Sequence, residues 1–83
     1  MNCWGEYRGI GRGREMVARI AADSAGTGLT IQTGSGRPVK LVYLGGETFD
    51  REGARFTFVR EGGRVIRLRA DTGGVYTILS RKL

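Results

Sequence analysis

Histidine is absent from this 83-residue chain, cysteine, proline and tryptophan occur once each, and only two of its fourteen basic residues are lysine. Each scarcity excludes something. Without histidine the usual general base of Ser-His and Cys-His nucleophilic pairs is missing, and so is the commonest ligand of a structural zinc. A single cysteine, Cys3, cannot form an internal disulfide. No apolar run approaches the ~18 residues of a membrane span, and residues 1–13 lack the apolar centre of a signal peptide. No membrane partner and a cytoplasmic location are therefore expected. Met1 with no linker ahead of it points to a free-standing product.

The remaining chemistry-bearing residues are scattered. Ser24, Ser35 and Ser80 read as turn formers and edge polarity. Cys3 has Glu6 rather than a cation close to it in sequence, so nothing marks it as an activated thiolate. Glu47, Asp50 and Glu52 fall within a short stretch, but Glu47 and Asp50 would occupy opposite faces of a strand around Phe49, which spoils a shared cation or acid/base site. No enzymatic activity, catalytic residue, cofactor or metal site is expected.

Glycine, in contrast, is abundant, and it is spaced almost regularly. Gly26 and Gly28, Gly34 and Gly36, Gly45 and Gly46, Gly53, Gly62 and Gly63, and Gly73 and Gly74 separate runs of six to nine residues. Short strands divided by turn residues in this way mark an all-β antiparallel fold, because tight hairpins require positive φ. The only proline, Pro38, stands at the start of a run, where the missing donor does least harm. Within the runs, apolar and polar residues alternate: Leu29 and Ile31 oppose Thr30 and Gln32, and Phe56 and Phe58 oppose Arg55, Thr57 and Val59. In the same way Val39, Leu41 and Tyr43 are expected inside, opposite Lys40, Val42 and Leu44, and Ile66, Leu68 and Ala70 inside, opposite Arg67 and Arg69. Two hairpins follow directly, one turning through Glu61-Gly62-Gly63 and the next through residues 71–74. Residues 15–22 fit a helical face (Val17, Ile20, Ala21) or a strand face (Met16, Ala18, Ile20, Ala22). Eight residues make a marginal helix, and a strand is favoured. The expectation is one domain, residues 1–83, folded as a small antiparallel β-barrel or strongly curved sheet of six to eight short strands.

Four surfaces or interiors could carry a function. Tyr7, Tyr43, Phe56, Phe58 and Tyr76 supply large apolar bodies, three of them with a polar tip, and could line a pocket for a small apolar ligand. The net charge of +6 raises nucleic acid as an alternative partner, through Arg55, Arg67 and Arg69 on one sheet face with Arg12 and Arg14 on an arm. The glycine-rich stretch Gly9-Ile10-Gly11-Arg12-Gly13-Arg14 could cradle a phosphate, but the strand, helix and spacing of a dinucleotide fingerprint are lacking, as is a Walker lysine. Finally, Val42, Leu44, Val59 and Ile78 are apolar residues at outward positions, a candidate interface. A chain of this size buries only about 60–65% of its unfolded surface. A homodimer formed through strand edges or that apolar face would supply the missing burial.

From Trp4 to Lys82 the pattern resembles the small β-barrel domain appended to the C-terminus of β-lactamase-like serine hydrolases. The resemblance is carried by Gly5-Glu6-Tyr7-Arg8 as an opening strand, Leu29 and Ile31, Val39 to Leu44, and Glu47-Thr48-Phe49. Most of it lies in Ala54-Arg55-Phe56-Thr57-Phe58 followed by Glu61-Gly62-Gly63-Arg64-Val65-Ile66-Arg67-Leu68. It implies a lipocalin-like antiparallel barrel with no catalytic residues to carry over. The hydrolase domain with its Ser-x-x-Lys nucleophile is missing, so fold and not activity is implied. The expected function is a non-enzymatic binding or interaction module, acting through self-association and taking a small apolar ligand; nucleic-acid binding by the arginine face is the alternative.

Overall fold

A computed structural model describes residues 3–11, 13–23, 26 and 28–82. Nine antiparallel strands form one sheet: β1 (Gly5–Gly11), β2 (Arg14–Ala22), β3 (Leu29–Thr33), β4 (Val39–Lys40), β5 (Val42–Gly45), β6 (Thr48–Arg51), β7 (Ala54–Glu61), β8 (Arg64–Thr72) and β9 (Val75–Arg81). Residues 15–22 are strand, as the alternation favoured. Ala18 and Ile20 face the core and Met16 packs against it.

The spatial order is β4-β3-β2-β1-β9-β8-β7-β6-β5, so every neighbour is a sequence neighbour except the pair β1 and β9. That pair joins the two ends of the chain through Tyr7↔Arg81 and Arg8↔Ser80. The other closure is less usual. β4 and β5 stand at opposite ends of the order, yet only Leu41 separates them in sequence. One extended run therefore pairs with β3 through Ile31↔Val39 and Thr30↔Lys40, then changes sides and pairs with β6 through Val42↔Asp50 and Tyr43↔Phe49. A strand shared between two ladders closes the sheet into a small, nearly complete β-barrel.

The interior is packed with side chains. Tyr7, Ile31, Val65, Leu68 and Leu79 are fully enclosed, with Phe49, Phe56 and Phe58 beside them. β1 presses closely on β9: a Cβ on Gly9 would collide with the Ile78 carbonyl oxygen and lie 2.8 Å from Leu79 Cδ2. The turns carry the positive φ their glycines anticipate, with one substitution of type. Glu52 holds φ 48° in the β6–β7 turn, ahead of Gly53 at 88°, where the β7–β8 turn has Gly62 and Gly63 at 60° and 80°.

Two expectations about facing are corrected. Val65, not Ile66, is the buried partner of Leu68 and Ala70. The ladder between β7 and β8 slips between Val59↔Arg67 and Arg60↔Val65, so Ile66 is the extra residue of a β-bulge and the alternation resets across it. Tyr43 does not continue the inward series of Val39 and Leu41; it is exposed. The strand changes ladders at Leu41, and beyond that point the inward direction opens onto a cleft.

Candidate ligand-binding cleft

The place where the shared strand leaves β3 is where the barrel wall parts. Leu41 N still donates to Leu29 O at 2.9 Å, but the next residues belong to β6, and a cleft of about 860 Å³ opens there. Its floor is Leu29, Leu41 and Phe49; Tyr43 and Val42 form one flank, Ala22 with Gly26 and Gly28 the other, and Trp4 and Lys40 stand at the rim. This volume lies inside the range of roughly 300–1,000 Å³ typical of small-molecule sites.

Each wall has a local cause. The β2–β3 turn is held by Asp23 N donating to Gly28 O at 2.9 Å and Gly26 N to Asp23 O at 3.0 Å. Lys40 Nζ reaches the Asp23 carboxylate at 3.6 Å and ties this turn to the closing strand. Trp4 is placed by the segment before β1. Cys3, just before it in the chain, is buried, and its carbonyl accepts a 2.6 Å hydrogen bond from Tyr7 Oη. The Trp4 carbonyl accepts from Arg81 Nη2, while Arg81 Nη1 donates to Val65 O at 3.2 Å. Thus the last strand's arginine pins the first strand's lead-in across one end of the barrel.

From the cleft an unbroken series of rings runs inward. Tyr43 and Phe49 lie 5.2 Å apart, Phe49 meets Phe58 edge-on at 5.7 Å, and Phe58 lies 6.0 Å from Tyr7. Burial pushes the Tyr7 phenol up to about 12, against the opposing pull of the Arg81 charge. Burial likewise raises the Cys3 thiol, more than the Arg60 charge lowers it, so Cys3 is a protonated core residue at neutral pH.

Of the five aromatics anticipated as a pocket, only Tyr43 lines the cleft. Tyr7, Phe56 and Phe58 are buried in the core, and Tyr76 is exposed on β9 with the Arg69 guanidinium 4.3 Å above its ring. Trp4, Leu29, Leu41 and Phe49 were not singled out by sequence as ligand contacts. Trp4 joins residues of the closing strand that are distant in sequence, and no local pattern announces that meeting.

The arginine face is assembled but interleaved with carboxylates. Arg55 stands between Asp50 on β6 and Asp71 on β8, and Arg69 bonds to Asp71 at 3.1 Å. Arg67 pairs in register with Val59 and Ser80. Farther round, Glu6 gathers Arg8, Arg19 and Lys82, and its carboxyl is held below the usual range chiefly by the Arg8 hydrogen bond. Arg14 is exposed at the start of β2, and Arg12 lies outside the described residues. Gly9 and Gly11 belong to β1 rather than to a phosphate-binding loop: Gly9 lies against β9, and a Cβ on Gly11 would run into Met16 Sδ.

The expected interface residues are distributed over three strands. Val42 and Leu44 are exposed on β5 and continuous with the cleft, Val59 is half-buried on β7, and Ile78 lies on β9 with Arg69 and Thr57 between it and β6. Glu47, Asp50 and Glu52 do not converge either, since Glu47 Oε1 is taken by Arg60 Nε at 2.7 Å. Among the described residues no group of three or more metal-ligating side chains is gathered, and no helix is long and apolar enough to cross a membrane. No family model, curated protein or solved structure matches the chain.

Proposed function

We propose that the chain is a non-enzymatic binding module that takes a small, largely apolar molecule into the cleft beside the closing strand. One observation carries the reading: a barrel whose interior is filled nonetheless keeps an open recess floored by Leu29, Leu41 and Phe49 and flanked by Trp4 and Tyr43. The floor is buried, but leaving Trp4, Val42 and Tyr43 around it wet costs a small domain burial it can ill spare, and a ligand recovers it. A second reading, self-association, is favoured by the exposed run Val42-Tyr43-Leu44 on the terminal strand β5. The arginine face, with carboxylates set among its cations, fits a solvated surface better than a phosphate-binding one.

Native mass spectrometry of the purified protein and titration with the neutral fluorescent probe N-phenyl-1-naphthylamine test the ligand reading. Trp4 is the only tryptophan, so its emission reports the same site. Micromolar uptake that falls roughly tenfold, about 1.4 kcal/mol, on Trp4→Ala is expected. Uptake indifferent to both Trp4→Ala and Tyr43→Ala would show that the probe lies elsewhere and remove the reading.

A further inference from the structure

The two sides of the cleft differ in kind. Tyr43 on one flank, Phe49 on the floor and Trp4 at the rim carry rings, whereas Ala22, Gly26 and Gly28 opposite put almost no side chain into the space. The β2–β3 turn sets this bareness. Gly26 holds φ 72°, where L side chains are strained, and a Cβ on Gly28 would lie 3.1 Å from Asp23 Oδ2. One wall therefore offers ring faces and edges, and the other a backbone surface that a flat body can approach closely.

The rings already form a series. Tyr43 lies 5.2 Å from Phe49 and is tilted 52° to it, and the contacts continue through Phe58 to Tyr7. Tyr43 and Trp4 are more than half exposed, so each has ring surface left for a further partner. Offset and edge-to-face contacts between rings add to affinity something that a saturated body of equal area does not supply.

Charge narrows the class further. Among the described residues Lys40 is the only charged one in the lining, and its Nζ stands 3.6 Å from the Asp23 carboxylate, which is nearly enclosed. The ammonium is thus already answered by a charge of its own chain, and among the described lining residues none carries a carboxylate for a cation. An ionised ligand would leave water for a recess without an uncommitted counter-charge, a cost that a neutral ligand avoids.

We infer that the occupant of the cleft is an uncharged, flat aromatic molecule, laid between the rings of Tyr43 and Trp4 and the bare backbone of the β2–β3 turn. The inference narrows the ligand reading above and rests on it.

Three probes separate flatness from charge. 1-Naphthol is flat and uncharged at neutral pH. Decahydro-1-naphthol has the same carbon skeleton and hydroxyl but is saturated and puckered, and naphthalene-1-sulfonate keeps the rings and adds a charge. Titration of the wild type in a calorimeter is expected to show micromolar binding of 1-naphthol and roughly tenfold weaker binding of each of the others. Tyr43→Leu keeps apolar bulk at an exposed position and removes one ring; the preference for 1-naphthol over its saturated analogue should fall to about threefold, with Trp4 still in place. Ala22→Leu, also at an exposed position, fills the bare flank and should weaken 1-naphthol roughly tenfold without lowering the thermal midpoint. Equal wild-type affinity for 1-naphthol and decahydro-1-naphthol overturns the inference and leaves the cleft a site for apolar molecules in general. A sulfonate bound as tightly as 1-naphthol overturns it too, as does an undiminished ring preference in Tyr43→Leu or an unchanged 1-naphthol affinity in Ala22→Leu. A protein that binds none of the three, and takes up no N-phenyl-1-naphthylamine, removes the ligand reading itself.

Discussion

Replacing Tyr7 by phenylalanine deletes one oxygen atom from the most enclosed part of the barrel. The ring stays packed on Phe58, but the Cys3 carbonyl loses its 2.6 Å donor and no water can reach it. An orphaned buried acceptor costs about 1–3 kcal/mol. In a chain of 83 residues, a loss of about 1.5 kcal/mol corresponds to a fall in Tm of about 6–12 °C. The alkaline limb supplies a second signature. Folded Tyr7 keeps its proton until about pH 12, whereas an unfolded tyrosine loses it near pH ~10. The stability conferred by the neutral phenol is therefore complete below about pH 10 and drains away as the pH climbs toward the folded value, by about 3 kcal/mol in all. Cys3, also raised by burial, begins a separate decline from its ordinary value of 9.0, and this persists in the variant. Urea denaturation followed by Trp4 emission at pH 7 and across the alkaline range measures both. A Tyr7→Phe chain as stable as the wild type at pH 7, or one with the same alkaline decline above about pH 10, would refute the role given to this hydrogen bond and to the enclosure of the ring.

Gly9→Ala drives a Cβ into the Ile78 carbonyl and Leu79, so β1 and β9 must part; a loss of about 1–3 kcal/mol in denaturant titration is expected, and an unchanged midpoint would show that the seam is not tightly packed. Glu52→Asn places a residue tolerant of positive φ before Gly53, in the order favoured by two-residue hairpins, and should raise stability by about 0.5–1 kcal/mol. Fluorescence anisotropy with single- and double-stranded oligonucleotides should show weak, strongly salt-dependent binding. Sub-micromolar affinity at about 150 mM salt that is lost on Arg67→Ala and Arg69→Ala would instead make the arginine face a working surface.

Much of the barrel is legible before any coordinate is known, for a definite reason. Residues 56–81 form two hairpins whose turns are announced by Gly62-Gly63 and Gly73-Gly74, and the strands between them obey a period of two. The exceptions are places where local periodicity gives way to ladder geometry. A strict period of two puts Ile66 in the core, but the bulge shifts the alternation by one residue and Val65 occupies the site instead. By alternation alone Tyr43 belongs to the interior, because a single run of alternating residues implies one strand with one pair of neighbours, whereas this run has two. Its true surroundings depend on a change of partner at Leu41 that no residue type marks. The cleft was illegible for the same cause, compounded by Trp4, whose position is set by Tyr7 and, from the far end of the chain, by Arg81.

A barrel closed by a strand divided between two ladders is also a barrel with a built-in weak link. Only two register pairs join β4 to β3 and three join β5 to β6, against seven between β1 and β2. Local opening draws on the elements with fewest bonds to break, so residues 39–45 form the segment that detaches most readily while the remaining strands stay assembled. Amide hydrogens there should exchange well ahead of those in β7 and β8, and a bound ligand should slow them selectively. If the cleft takes a ligand as proposed, the stretch that completes the wall would also be its gate: the motion admitting a molecule would be a partial undoing of closure, and an occupant bridging Leu29, Tyr43 and Phe49 would lock the barrel shut.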